Sequence, residues 1–230
     1  MNKPKYSIVL ADADETIFDF KKAEFTAFKA TLNYFGKDCT DQEVEVYSEI
    51  NLNLWKELEK GIITREKLKH ERFDRWFEYM GFDIDSKVFD KLYVENLGNC
   101  GFLIDGAFEF IEKLSTVCDI YIVTNGLTKS QTSRFNNSAI KPYIKKLYIS
   151  EEIGYAKPSI EYFDYCINDI GESDRSKYII LGDSLSSDMQ GGRNAKIATC
   201  RYIRDGVYSP SPLCDYVITD YNQFFDVLGI

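Results

Sequence analysis

Six short runs rich in apolar residues constrain this chain more than any other feature. Tyr6–Ala11, Ile120–Thr124, Lys146–Ile149, Tyr178–Leu181, Ala198–Ile203 and Tyr216–Thr219 have strand-like lengths, and several are continuously apolar. Runs without polar alternation are expected where helices cover both faces of a parallel sheet. Helical stretches such as Ile160–Ile170 and Ser187–Ala195 separate the later runs. Strand–helix alternation of this kind predicts an α/β fold, a doubly wound parallel sheet with right-handed crossovers.

Residues 19–99 break that rhythm. They contain no proline, and their glycines are Gly36, Gly61, Gly81 and Gly98, each read as closing a helical segment. Phe25, Phe28, Leu32 and Phe35 recur at helical spacing, as do Phe73, Trp76, Phe77 and Met80. The expectation is a four-helix insert over 19–99, with 1–18 and 100–230 forming the α/β core. Ser209–Pro-Ser-Pro212 reads as a surface turn before the last strand.

Composition narrows the class. A chain of 230 residues suits one large domain, or a core plus a smaller insert. Its 44% hydrophobic and 28% charged residues argue against wholesale disorder. A net charge of -9 disfavours non-specific binding to nucleic acid or to an anionic membrane, though a local basic pocket can still grip one phosphate. The six cysteines form no C-x-x-C pair and read as buried thiols in a reducing compartment. The N-terminal apolar run Ile8–Ala11 is too short for a signal peptide or a membrane span. A cytoplasmic protein, monomer or weak homodimer, is the expectation.

In an open α/β sheet, ligands bind at the carboxyl ends of the strands. There the first run leads into Asp12-Ala13-Asp14-Glu15-Thr16, the second ends in Thr124-Asn125-Gly126, and the fourth leads into Gly182-Asp183-Ser184 with Asp188 beyond. Lys157 stands in Ala156-Lys157-Pro158, just before a helix. Two carboxylates 4 Å apart repel by about 4 kcal/mol at an effective dielectric near 20. Three or four of them need more than one lysine. A hard divalent cation with oxygen ligands answers that need, and Mg²⁺ keeps waters and substrate phosphate as further ligands. A phosphate beside Lys157 and the Thr124 hydroxyl completes a site for phosphoryl transfer, and a strand-end carboxylate can be its nucleophile.

The ordered set Asp12-x-Asp14-x-Thr16, Thr124, Lys157 and Gly182-Asp183-x4-Asp188 resembles the haloacid dehalogenase (HAD) superfamily of aspartate-nucleophile phosphatases. The resemblance covers essentially the whole chain, because the insert stands where that superfamily carries its helical C1-type cap. It implies a Rossmann-like core and the following roles. Asp12 attacks phosphorus, with its other oxygen on Mg²⁺. Asp14 protonates the leaving alcohol, then activates water to hydrolyse the aspartyl-phosphate, and its backbone carbonyl ligates the metal. Thr124 and Lys157 hold phosphate oxygens, and Lys157 also restrains Asp12. Asp183 ligates the metal, and Asp188 does so directly or through water. Asn125 and Gly126 present backbone or amide donors to the phosphate.

Within that superfamily, the resemblance at Asp14 implies phosphate-ester chemistry rather than dehalogenation, and Glu15-Thr16 after it implies a phosphatase rather than a sugar-phosphate mutase. The stretches Asn53-Leu54-Trp55, Gly61-Ile62-Ile63-Thr64, His70-Glu71-Arg72-Phe73, Val123-Thr124-Asn125-Gly126 and Ser150-Glu151-Glu152-Ile153-Gly154 are similar to bacterial pyrimidine 5′-nucleotidases of the superfamily. That similarity implies hydrolysis of nucleoside 5′-monophosphates. The competing readings are a sugar-phosphate or other small-metabolite phosphatase and a non-catalytic binding protein on the same fold.

Taken singly, several of these residues have plainer readings. Asp12 and Asp183 equally suit turn aspartates that cap the next helix, and Asp188 a first-turn acid favoured by the helix dipole. Thr124 alone suits a satisfied strand-end hydroxyl, and Lys157 an exposed loop lysine. Thr16 is read as shaping the turn. His70, Trp55 and Trp76 read as structural, and Arg65 and Arg72 as solvated or as meeting a leaving group.

Overall fold

The computed structural model describes residues 3–205 and 210–230, so Ser209 of the expected surface turn lies outside the described residues. Six strands, β1 (Ile8–Asp12), β2 (Asp119–Thr124), β3 (Lys146–Ile149), β4 (Tyr178–Gly182), β5 (Ala198–Tyr202) and β6 (Tyr216–Ile218), form one sheet. Its order is β3-β2-β1-β4-β5-β6, and every neighbouring pair is parallel. The chain therefore winds outward from β1 in both directions, and the order reverses between β1 and β4. A reversal of this kind opens a crevice at the strands' carboxyl ends.

Side chains alternate across the sheet with the period of two that strand geometry imposes. Ile8, Leu10, Tyr178 and Ile180 join one apolar layer with Tyr162, Phe163, Cys166 and Ile167 of α8 (Ile160–Ile170). Val9, Ala11, Ile179 and Leu181 face the other layer, with Phe110, Ile111 and Leu114 of α5 (Ala107–Ser115) and Phe224, Phe225 and Leu228 of α10 (Asn222–Leu228). Because both faces are covered, β1 and β4 are buried along their whole length.

The described residues divide into two compact units, one from residues up to Phe20 and from Gly101 onward, the other Lys21–Cys100. Four helices, α1 (Phe20–Tyr34), α2 (Asp41–Glu59), α3 (Arg65–Met80) and α4 (Ser86–Asn99), account for the second. Thr40 and Glu43 cap α2 reciprocally, while Thr64 and Asp85 cap α3 and α4 with their side chains. The unit's core is aromatic. Phe28 stacks on Tyr47 with ring centroids 4.0 Å apart, and Phe73, Trp76, Phe89 and Tyr93 surround the pair. The buried Trp76 indole N–H donates to the Glu43 carbonyl at 2.8 Å, so Trp76 is core.

Four local expectations change. Phe25 lies outside the packed stripe of α1 and is exposed, the buried face running through Ala23, Ala27, Phe28 and Leu32. Gly98 does not close a helix: α4 runs through it, and Cys100 ends the helix by leaving helical backbone angles. Gly36, Gly61 and Gly81 do take the positive φ expected past a helix end. Arg72 is not solvated. It is buried and paired with Asp90 at 2.7 Å, its guanidinium over the rings of Phe73 and Tyr93. Finally, Ser187–Ala195 is not one helix, because a π-helical turn over Leu185–Met189 precedes α9 (Gln190–Ala195).

Candidate active site

The sheet order sets β1 between β2 and β4, so the carboxyl ends of those three strands are neighbours. Asp12 is the last residue of β1 and is buried. After it the chain turns tightly: the N–H groups of Ile17 and Phe18 both donate to the Ala13 carbonyl, and Glu15 adopts a left-handed φ of 59°. That turn brings the buried Thr16 hydroxyl back to donate to Asp12 Oδ2 at 3.4 Å.

Lys157 is buried, with its Nζ at the centre of the cluster. It donates to Asp12 Oδ1 at 2.5 Å, to Asp188 Oδ1 at 2.7 Å and to the Val123 carbonyl at 3.0 Å. Three donors meet three acceptors, which settles how an ammonium can be buried here. The Asn125 side chain fastens the lysine's own backbone, accepting from Lys157 N–H at 2.9 Å and donating to Lys157 C=O at 2.8 Å. Its amide is thus occupied in positioning Lys157, which leaves its backbone as the donor of the two that the sequence suggested for phosphate. Gly126 N–H donates to Thr124 Oγ1 at 3.0 Å, and Thr124 N–H donates to the buried Tyr162 hydroxyl at 3.1 Å.

Gly182 is the last residue of β4, and Asp188 folds back over it. A Cβ at position 182 would lie 2.4 Å from Asp188 Cγ and Oδ2. Ser184 N–H donates to Asp188 Oδ2 at 3.1 Å, so both oxygens of this carboxylate are held. Arg201 Nε donates to the Asp183 carbonyl at 3.0 Å and fixes the backbone that carries the third acid.

One carboxylate oxygen from each of Asp12, Asp183 and Asp188 can be chosen so that all three lie within 4.8 Å of one another. Burial pushes the Asp12 carboxyl well above the ordinary range, against the pull of Lys157 and with repulsion from Asp188 and Asp183 added. Burial and Asp188 push Asp183 up to about 7. Burial also works against the Lys157 charge, but Asp12 and Asp188 outweigh it and hold the ammonium form above the ordinary lysine range. Ionising all three carboxyls against one ammonium would leave an excess of negative charge at the cluster. An all-oxygen donor set with that excess fits a hard divalent cation such as Mg²⁺.

Asp14 takes partners that the sequence reading missed. Gln131 Nε2 donates to its Oδ2 at 2.6 Å, and Arg134 donates to its Oδ1 at 2.5 Å. Both partners are buried on α6 (Thr128–Asn136), the helix after β2. Their spacing of three residues on one helix face was the available signal, but nothing local tied that face to Asp14.

Fold and site together describe a hydrolase built on strand-end carboxylates. The profile of the haloacid dehalogenase-like hydrolases matches residues 9–202, and the chain belongs to that family. YfnB of Bacillus subtilis strain 168 is 33% identical over 98% of this chain and 97% of its own length. A crystal structure of YfnB bound to magnesium superposes with a TM-score of 0.92 at 32% identity, covering 98% of this chain and all of that one. The pyrimidine 5′-nucleotidase YjjG of Escherichia coli K12 is 31% identical over 85% of each chain. The pyrimidine 5′-nucleotidase PynA of Streptococcus pneumoniae R6 is 33% identical over 86% of this chain and 84% of its own.

Proposed function

We propose that this hydrolase is a Mg²⁺-dependent phosphomonoesterase acting on nucleoside 5′-monophosphates, with a preference for pyrimidines. The observation that carries the reading is the cluster of Asp12, Lys157, Asp183 and Asp188 at the switch point of the sheet. The substrate class rests on the likeness to YjjG and PynA across more than four fifths of the chain.

In this reading Asp12 and Asp183 hold the metal through their side chains, Asp14 through its backbone carbonyl, and Asp188 directly or through water. Bound there, Mg²⁺ supplies positive charge that neutralises the phosphate and the carboxylates around it. Asp12 forms a bond to phosphorus as the bond from phosphorus to the ester oxygen breaks, and Asp14 gives that oxygen a proton. Water then attacks the aspartyl-phosphate, passes a proton to Asp14 and releases inorganic phosphate, which regenerates Asp12. Thr124 and Lys157 hold phosphate oxygens, with Asn125 and Gly126 lining the same strand end. The helical insert expected over 19–99 is read as the C1-type cap of the HAD superfamily. A cytoplasmic setting accords with the free cysteines, five of them buried. Among the described residues no helix is long and apolar enough to cross a membrane.

The test is phosphate release with Mg²⁺ from a panel of nucleoside monophosphates and sugar phosphates, with Asp12→Asn as the control. A pyrimidine lead of about tenfold in kcat/KM, or about 1.4 kcal/mol, supports the reading. A lead for sugar phosphates overturns the substrate class, and silence across the panel overturns the phosphatase reading.

A further inference from the structure

Asp14 is held by both oxygens, and its holders come from a helix more than a hundred residues away in the chain. We infer that Gln131 and Arg134 are positioning residues for Asp14, fixing the orientation from which its carboxyl exchanges protons during phosphate-ester cleavage. The inference rests on the phosphatase reading above and adds two residues to it.

Three observations carry it. First, the two donors divide the carboxylate, Gln131 on Oδ2 at 2.6 Å and Arg134 on Oδ1 at 2.5 Å. A short aspartate side chain gripped at both oxygens is confined to one of its staggered rotamers. Second, Arg134 is fully buried although it carries a charge, and its guanidinium lies 4.9 Å from the ring centroid of Phe18. Phe18 closes the same turn that presents Asp14, its carbonyl accepting from Glu15 N–H at 2.9 Å. One side chain thus braces both the turn and the carboxylate. Third, Gln131 reaches Asp14 by lying across Gly126. A Cβ at 126 would stand 2.3 Å from Gln131 Nε2 and 2.7 Å from its Cγ, so the glycine after Asn125 leaves the path that Gln131 occupies. The Asp14 side chain keeps about a quarter of its surface open, so the grip does not bury it.

A purely structural role for the pair would slow every substrate alike. A role in aiming Asp14 depends on how much the leaving group needs a proton. Uridine 5′-monophosphate releases an alkoxide that needs one, whereas p-nitrophenyl phosphate releases a stabilised phenolate that departs without it. Because kcat/KM reports the steps through transfer to Asp12, the later attack of water does not enter the comparison.

The experiment measures kcat/KM on both esters for the wild type, Asp14→Asn, Gln131→Met and Arg134→Lys, with thermal unfolding of each. General acid catalysis is worth about 10²–10⁴-fold. Asp14→Asn therefore falls far more on the nucleotide than on the aryl ester. Gln131→Met and Arg134→Lys follow the same pattern, losing about tenfold or more on the nucleotide and about threefold or less on the aryl ester. Equal losses on the two esters, or no loss, overturn the inference. If Arg134→Lys does not fold, Gln131→Met decides alone. A wild type inactive on both esters overturns the phosphatase reading itself. A wild type active on both, with Asp14→Asn unimpaired on the nucleotide, overturns only the acid role and the positioning that depends on it.

Discussion

The Lys157 ammonium lies 2.5 Å from Asp12 Oδ1, and both side chains are withdrawn from solvent. The same nitrogen reaches Asp188 Oδ1 at 2.7 Å, so one cation ties the end of β1 to the turn after β4. The arrangement holds a strand-end carboxylate still and leaves the cluster short of positive charge. Both properties suit a site that receives a metal and a phosphate.

Removing that ammonium exposes the imbalance. Breaking a buried ion pair from one side costs about 3–5 kcal/mol, and Lys157→Met is expected to lose stability of that order in metal-free buffer. Mg²⁺ should restore part of it, while phosphate release falls by about a hundredfold or more. Urea unfolding with EDTA and with Mg²⁺ measures the first effect. A variant as stable as the wild type without metal would show that the cluster is not ionised as described.

The raised Asp183 carboxyl gives a pH signature. With its folded value near 7 and an ordinary value of 3.8, the folded state keeps a proton that the unfolded state has lost between those limits. This contribution to stability is complete below the ordinary value and disappears as pH rises through about 7. Metal binding needs the ionised form, so the gain in Tm from Mg²⁺ should be larger at pH 8 than at pH 6. At a hundredfold excess over Kd the stabilisation is about 2.7 kcal/mol. Differential scanning fluorimetry at the two pH values is the check, and equal gains would refute the coupling.

Gly182 has a steric requirement that alanine cannot meet, because its Cβ would fall 2.4 Å from Asp188. Gly182→Ala is expected to displace that carboxylate from Lys157 and to cost about 1–3 kcal/mol. Affinity for Mg²⁺ should weaken with it, as read by isothermal titration. Unchanged metal affinity would place Asp188 outside the metal's surroundings.

Within the helical unit, Arg72 and Asp90 form a buried pair 2.7 Å apart. Arg72→Ala is expected to destabilise by about 3–5 kcal/mol. Any loss of activity should disappear once rates are divided by the folded fraction, which circular dichroism gives. A residual drop in kcat/KM would assign Arg72 a part in substrate recognition.

Strand positions, the ends that carry Asp12, Thr124 and Gly182, and the helical character of the insert were legible along the chain. Each depends on periodicity or on a polar residue placed at the end of an apolar run, which are local properties. The HAD motifs were legible for the same reason, since their spacing survives without any knowledge of what pairs with what. Phe25 and Gly98 mark the limit: a stripe of aromatics does not say which of them meets a partner, and a glycine does not say whether the helix stops.

The remaining features required the tertiary structure. The order β3-β2-β1-β4-β5-β6 brings three strand ends together, and pairing between strands distant in sequence leaves no local trace. Burial turns Arg72 from a surface arginine into half of an ion pair, and it raises the Asp12 and Asp183 carboxyls. Asn125 meets the Lys157 backbone 32 residues away, and Gln131 and Arg134 meet Asp14 across 117 and 120 residues. Chemistry-bearing residue types are written in the sequence. Their partners, charge states and orientation come from long-range contacts and the loss of water, which exist only after the chain has folded.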